Sequence, residues 1–213
     1  MAAEADFLAR LARQLGGPER RAEPVWPPEP LEIPAAPDDP HALADRFTAE
    51  LERVGGRVHR VADAAAVGPC LAALLSGGGL VVRTLEGYDV DAALVATGCR
   101  VLSGFTEPAA FREAARQAVA GLTGCDHAIA ETGTLVLGSH HTRLASLLPP
   151  VHLAVVRLDQ LVLSAATVFE HLARQEPASQ VVFITGPSRS ADIESDLSIG
   201  VHGPKEVHVV LVG

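Results

Sequence analysis

Hydrophobic and polar positions alternate along this chain in two rhythms. In residues 5–15, Phe7, Leu8, Leu11 and Leu15 recur at helical spacing and predict a short amphipathic helix. Leu43, Phe47, Leu51 and Val54 repeat that pattern, and Gly55-Gly56 ends it. From there the pattern switches back and forth. Apolar, β-branched runs predict strands at 57–61, 80–84, 99–103, 152–156, 180–185 and 206–212. Helical periodicity fills 64–75, 90–97, 107–120 and 163–172 between them. Strands alternating with helices at this spacing predict βαβ units and a largely parallel sheet. Two further runs, 127–130 and 135–137, flank Glu131-Thr132-Gly133-Thr134, which reads as a hairpin or a strand kinked at the glycine.

Between the first helix and the regular domain the pattern fails. Pro24, Pro27, Pro28, Pro30, Pro34, Pro37 and Pro40 remove too many backbone donors for helix or sheet. The stretch reads as an extended arm in which Trp26 and Leu31 anchor on a neighbouring surface, the chain's own or a second subunit's, and equally well as a floppy linker. The expected organisation is therefore residues 1–40 as a helix plus proline-rich arm, and residues 41–213 as an α/β domain. The arm also suits an exchange between two copies, so a homo-oligomer is one expectation.

Composition narrows the class. Hydrophobic residues make up 48% of the 213 but aromatics only 4%, so the core must be built from Val, Leu, Ile and Ala, as suits helices on a sheet. A net charge of −9 repels phosphate backbones and anionic lipid, which argues against nucleic-acid or membrane-surface partners. There is no apolar run of about 18 residues to span a membrane. The first 15 residues lack the basic-then-apolar order of a secretion signal. Cys70, Cys99 and Cys125 are odd in number and form no C-x-x-C pair, which fits a reduced, cytoplasmic chain. Three thiols also fall short of the four an iron–sulfur cluster takes, so the chain is expected to hold no cofactor itself.

Four constellations carry candidate chemistry. The first is residues 185–194, a glycine turn directly after an apolar strand. Gly186 allows the sharp turn, Ser188 or Ser190 can cap a following helix whose free N–H groups favour an anion, and Arg189 can clamp a carboxylate. Asp192 and Glu194 would already complement that helix dipole and would repel a polyphosphate, so a small carboxylate fits better than a nucleotide. A purely structural capped turn explains the same residues equally well. The second is Glu131 beside Gly133 and Thr134: a base or nucleophile with room for a substrate, or a solvated hairpin turn. The third is the histidines. His140 and His141 are adjacent and would point to opposite faces of a strand, so no metal site is expected. His202 and Gly203 form a second turn, 200–205, immediately before the last strand, where His202 can meet the first loop or a ligand. The fourth is Arg143, ahead of Ser146-Leu147-Leu148-Pro149-Pro150, which either faces a ligand or lies on the surface.

Taken in order, residues 130–135, 146–149, 185–194 and 200–204 resemble the signature of the LUD-domain family, as in lactate-utilisation protein C. The likeness is close over 121–213 and looser over 41–120. It implies a three-layer α/β/α fold similar to ribose-phosphate isomerase and CoA transferases. It also implies a cytoplasmic, non-redox subunit of an iron–sulfur complex that oxidises L-lactate to pyruvate. Two partner proteins are then expected, one of them cysteine-rich and carrying the clusters. The loops themselves, not the resemblance, give the ligand-facing set Gly133, Thr134, Arg143, Gly186, Ser188, Arg189, Ser190, Asp192 and Gly203, with Glu131 and His202 as catalytic candidates. Two alternatives stand beside it: a stand-alone enzyme with a CoA-transferase-like or isomerase-like pocket, and a carboxylate-binding regulatory module.

Overall fold

Six parallel strands make the main sheet of the computed structural model, which describes residues 7, 10, 39–103, 107–139, 143–176, 178–191, 197–200 and 202–213. Met1–Glu32 forms one unit, in which the described Phe7 and Arg10 are helical and exposed, and Ile33–Gly213 forms the other. The proline arm's anchors Trp26 and Leu31 lie outside the described residues.

In the second unit, helix α1 (Pro40–Arg53) begins where Asp39 accepts the His41 N–H and Pro40 occupies a position that needs no donor. Strand β1 (Arg57–Val61), α2 (Val67–Leu74), β2 (Gly79–Arg83), α3 (Asp91–Ala96) and β3 (Cys99–Ser103) follow as expected from the pattern, and α4 (Pro108–Gln117) comes after them. Next come β4 (Ala120–Thr123), β5 (His127–Ile129), β6 (Thr134–Gly138), α5 (Arg143–Leu147), β7 (Val151–Arg157), β8 (Leu161–Val162) and α6 (Ala165–Ala173). The chain ends with β9 (Val181–Ile184), β10 (Arg189–Ala191), β11 (Leu197–Ile199) and β12 (Glu206–Val212). The main sheet runs β1-β12-β7-β4-β2-β3, all neighbours parallel. A second sheet, β8-β5-β6-β9, contains the expected hairpin, with Ile129 opposite Thr134.

Both faces of the main sheet are covered, which is why its central strands read as continuous apolar runs. Alternate residues of β7 and β12 serve different cores. Leu153, Val155 and Val210 face α2 and α3, packing with Val67, Leu71 and Leu94. Ala154, Val156, Val207, Val209 and Leu211 face α1 and the second sheet, meeting Phe47, Leu51, Leu135 and Leu137. Further along that face, α4 and α5 close over Val82 through Phe111, Ala115 and Ala145. Helix α6 covers the outer side of the second sheet through Val168. The fold is α/β, with a parallel sheet sandwiched between covering layers.

Two expectations from the sequence need correction. Residues 107–120 are not one helix: α4 stops at Gln117, and Ala120–Thr123 becomes β4, wedged between β2 and β7. Residues 189–191 do not open a helix either. They form a strand paired antiparallel with 197–199, Arg189 opposite Ile199. Their backbone groups are committed to a hairpin, so 189–191 offer no helix N-terminus to hold an anion.

Candidate functional site

The motif loops gather at the amino-terminal edge of the main sheet, around the end of α1. Gly133 has a left-handed φ of 63°, and a side chain there would lie 2.3 Å from the Leu51 backbone nitrogen. Only glycine lets this turn rest on the helix. Gly186 packs against Val54, and the Arg189 guanidinium lies over Gly55. The Ser188 N–H donates to the Pro204 carbonyl at 2.9 Å, and the Gly200 N–H donates to the Ser188 carbonyl at 2.9 Å. Gly203 sits against Ser188, and Lys205 donates its N–H to the Pro150 carbonyl just before β7. The structure thus unites Gly133, Thr134, Gly186, Ser188, Arg189 and Gly203 as parts of one clasp.

Most of the polar groups in this clasp are satisfied by one another. Thr134 exchanges 2.7 Å hydrogen bonds with Thr132 and with Thr185. Glu131 turns its carboxylate to the start of α6, where Oε1 accepts the Ala165 N–H at 3.1 Å. That is a helix-capping arrangement, favoured by the positive end of the helix dipole. Arg189 and His202 are exposed. Arg143 is exposed at the start of α5. Asp192, like His140 and His141, lies outside the described residues, and of Ser190 only the backbone, in β10, is described.

A concave site lies at the opposite edge. Just beyond the carboxyl ends of β2, β4 and β7 is a cleft of about 280 Å³, lined by Thr84, Tyr88, Cys125, Asp126, Arg157 and Gln160 among others. A neighbouring cleft of about 380 Å³ shares Cys125, Asp126, Arg157 and Gln160 and adds His127 and Asp159. Crevices outside the carboxyl ends of parallel strands are where ligands bind open α/β sheets. Sequence reasoning missed this site. Its contributors lie far apart in the chain, and one of the three strands, β4, carries no strand signal, its first residue, Ala120, reading as the end of a helix.

The electrostatics of this edge are well defined. Arg157 is held by Asp159 through bonds of 2.9 and 3.1 Å, which raise the guanidinium's pKa above its ordinary value. Asp126 Oδ2 accepts the Gly138 N–H at 2.6 Å. Burial, reinforced by the Asp126 carboxylate, pushes the Cys125 thiol far up, so it is no nucleophile at neutral pH. Burial also lowers His127, with His171 beside it acting in the same direction. Cys125 is buried in one core and Cys99 in another, with half-buried Cys70 packed against that second core. Among the described residues no helix is long and apolar enough to cross a membrane.

Residues 44–212 match the LUD domain. Over 216 aligned positions, 99% of this chain and 96% of the relative, the sequence is 31% identical to a protein from Deinococcus radiodurans named Lactate utilization protein C. A Bacillus subtilis protein of the same name is 42% identical over 106 residues, which cover 46% of this chain and 44% of that one. A crystal structure of a DUF162-family protein from Deinococcus radiodurans superposes with a TM-score of 0.61 at 26% identity, over 83% of this chain and all of that one. With the domain matched across most of its length and a relative matched nearly end to end, the chain belongs to the LUD-domain family.

Proposed function

We propose that this chain serves lactate utilisation as the non-redox subunit of an iron–sulfur complex that oxidises L-lactate to pyruvate. The observation that carries the reading is the nearly end-to-end similarity to a protein named Lactate utilization protein C. The cysteine chemistry supports the division of labour. Three thiols fall short of the four cysteines a cluster takes, so in this reading the clusters belong on partners, one of them cysteine-rich. In this role the clasp at the amino edge presents Arg189 and His202 outward, available to a small carboxylate or to an acidic group of a partner. The alternative in which Glu131 serves as base or nucleophile is less well supported, because its carboxylate caps α6.

The test is affinity capture of the tagged protein from its own cells grown on lactate, with spectra of the eluate from about 300 to 700 nm, where charge transfer between cluster iron and its sulfur ligands absorbs. Partner bands with broad visible absorbance are expected. A colourless single band would overturn the complex.

A further inference from the structure

We propose that the cleft at the carboxyl edge of the main sheet binds a small monocarboxylate of the hydroxy- or keto-acid class. Most of the acceptors in its lining are already satisfied. Asp126 accepts a backbone N–H from Gly138, and both oxygens of Asp159, in the neighbouring cleft, are taken by Arg157. Gln160 accepts the Arg157 N–H at 2.8 Å and donates its amide to the Cys125 carbonyl, so it too is engaged. What the cleft still offers is a set of donors. Arg157 uses Nε and Nη2 on Asp159, and among the described residues Nη1 makes no hydrogen bond. The Tyr88 hydroxyl is likewise uncommitted among the described residues, and burial pushes the phenol up, which keeps its proton on. The Thr84 hydroxyl is buried with no partner among the described residues, and a turn about χ1 would aim it at an acceptor in the cleft. A donor-rich cleft calls for an oxygen-rich ligand.

The same lining limits the ligand's charge. Glu86 stands exposed on the rim, Asp126 lines the cleft, and Asp159 lines its neighbour. Against one guanidinium these three acids repel a doubly charged phosphate or dicarboxylate more strongly than a single carboxylate, which can sit on Arg157. Arg157 is preorganised for it: Asp159 fixes its side chain and Gln160 its backbone. A second oxygen on the adjacent carbon, hydroxyl or keto, would then lie toward Tyr88. The cleft's size suits a small molecule.

The site does not depend on the iron–sulfur complex; only the choice of probes rests on the lactate-utilisation reading. The experiment is calorimetric titration of the full chain with L-lactate, pyruvate, malate and inorganic phosphate. It compares wild type with Tyr88→Phe, Arg157→Gln and Arg189→Ala, each first shown to keep the wild-type melting temperature. Lactate or pyruvate should bind wild type more tightly than malate or phosphate. Affinity should fall at least about tenfold in Tyr88→Phe and in Arg157→Gln, the loss of one charge-assisted or buried hydrogen bond, and should hold in Arg189→Ala. Three outcomes overturn the proposal: no binding of either monocarboxylate, tighter binding of malate or phosphate, or affinity that survives both cleft substitutions. Loss confined to Arg189→Ala would overturn it too, placing the ligand at the amino edge instead. A colourless capture eluate combined with cleft-dependent binding would refute the complex and leave this site standing.

Discussion

Helix α5 crosses β4 so closely that a single methyl group should dislodge it, and three glycines make the test quantitative. At Gly121 an added Cβ would lie 1.7 Å from the Ala145 carbonyl oxygen, 2.7 Å from its carbon and 3.1 Å from Pro149. Ordinary contact begins well above 3 Å, so the helix must retreat by roughly 1.5 Å, and neither backbone can rotate aside. That retreat pulls fully buried Ala145 out of the core it shares with Phe111 and Ala115. It also opens the layer over the buried 2.9 Å bond between Thr123 and His152. Overpacking of this kind costs about 3 kcal/mol, the upper end of its usual range. In a domain of this size that lowers the melting temperature by about 6–12 °C. Gly87 isolates a different cost: no atom lies within 4 Å of where an alanine methyl would stand, but its φ is 79°. Gly87→Ala costs about 1–2 kcal/mol of left-handed strain, partly offset through the unfolded chain, for a net fall of a few degrees at most. Gly77 has neither a neighbour within 4 Å nor a positive φ, so Gly77→Ala should be neutral or slightly stabilising. Thermal melts by circular dichroism rank the three. A Gly121→Ala protein melting with the wild type, or a Gly77→Ala protein falling as far as Gly121→Ala, refutes the close approach as the cause.

Two further outcomes follow from buried titratable groups. His59 is lowered from 6.5 by burial, then by its stacked neighbour His208 and by Arg57, and His127 is lowered by burial and by His171. Below pH 6.5 the unfolded chain therefore binds more protons than the folded one, so stability should fall as pH drops through the lowered values and level off beneath them. Melting temperatures between about pH 7.5 and 5 check this, and a flat profile, or one that His59→Gln leaves just as steep, refutes it. Cys99 and Cys125 are buried, with the Cys125 thiol pushed far up, while Cys70 is half-buried and raised less. Iodoacetamide should therefore modify Cys70 slowly and the other two only after denaturation; rapid native alkylation mapped to Cys125 would contradict its placement.

Much of the fold is written locally. The spacing of Leu43, Phe47 and Leu51 is enough to make α1 and to say which face it buries, because a helix repeats every 3.6 residues whatever surrounds it. The valine-rich run of β12 declares a strand buried on both sides, and Gly133 between two apolar runs declares a turn. Other features depend on neighbours. Ala118-Val119-Ala120 continues the apolar pattern of α4, and it is the open place between β2 and β7 that draws Ala120–Thr123 out as a strand. Ser188 and Arg189 look like a helix start, yet pairing with residues 197–199 takes the backbone into a hairpin. The motif residues were legible as a group, but not their use: Glu131 reads as a base or nucleophile or as part of a solvated turn, and its carboxylate caps α6, whose start is 34 residues away in sequence and is brought near only by folding. By itself the sequence determined the α/β class, the parallel alternation and the family. Strand order alone decided which loops share an edge, and so joined Tyr88, Cys125 and Arg157 in one cleft, since contacts between distant segments leave no periodic mark on the chain.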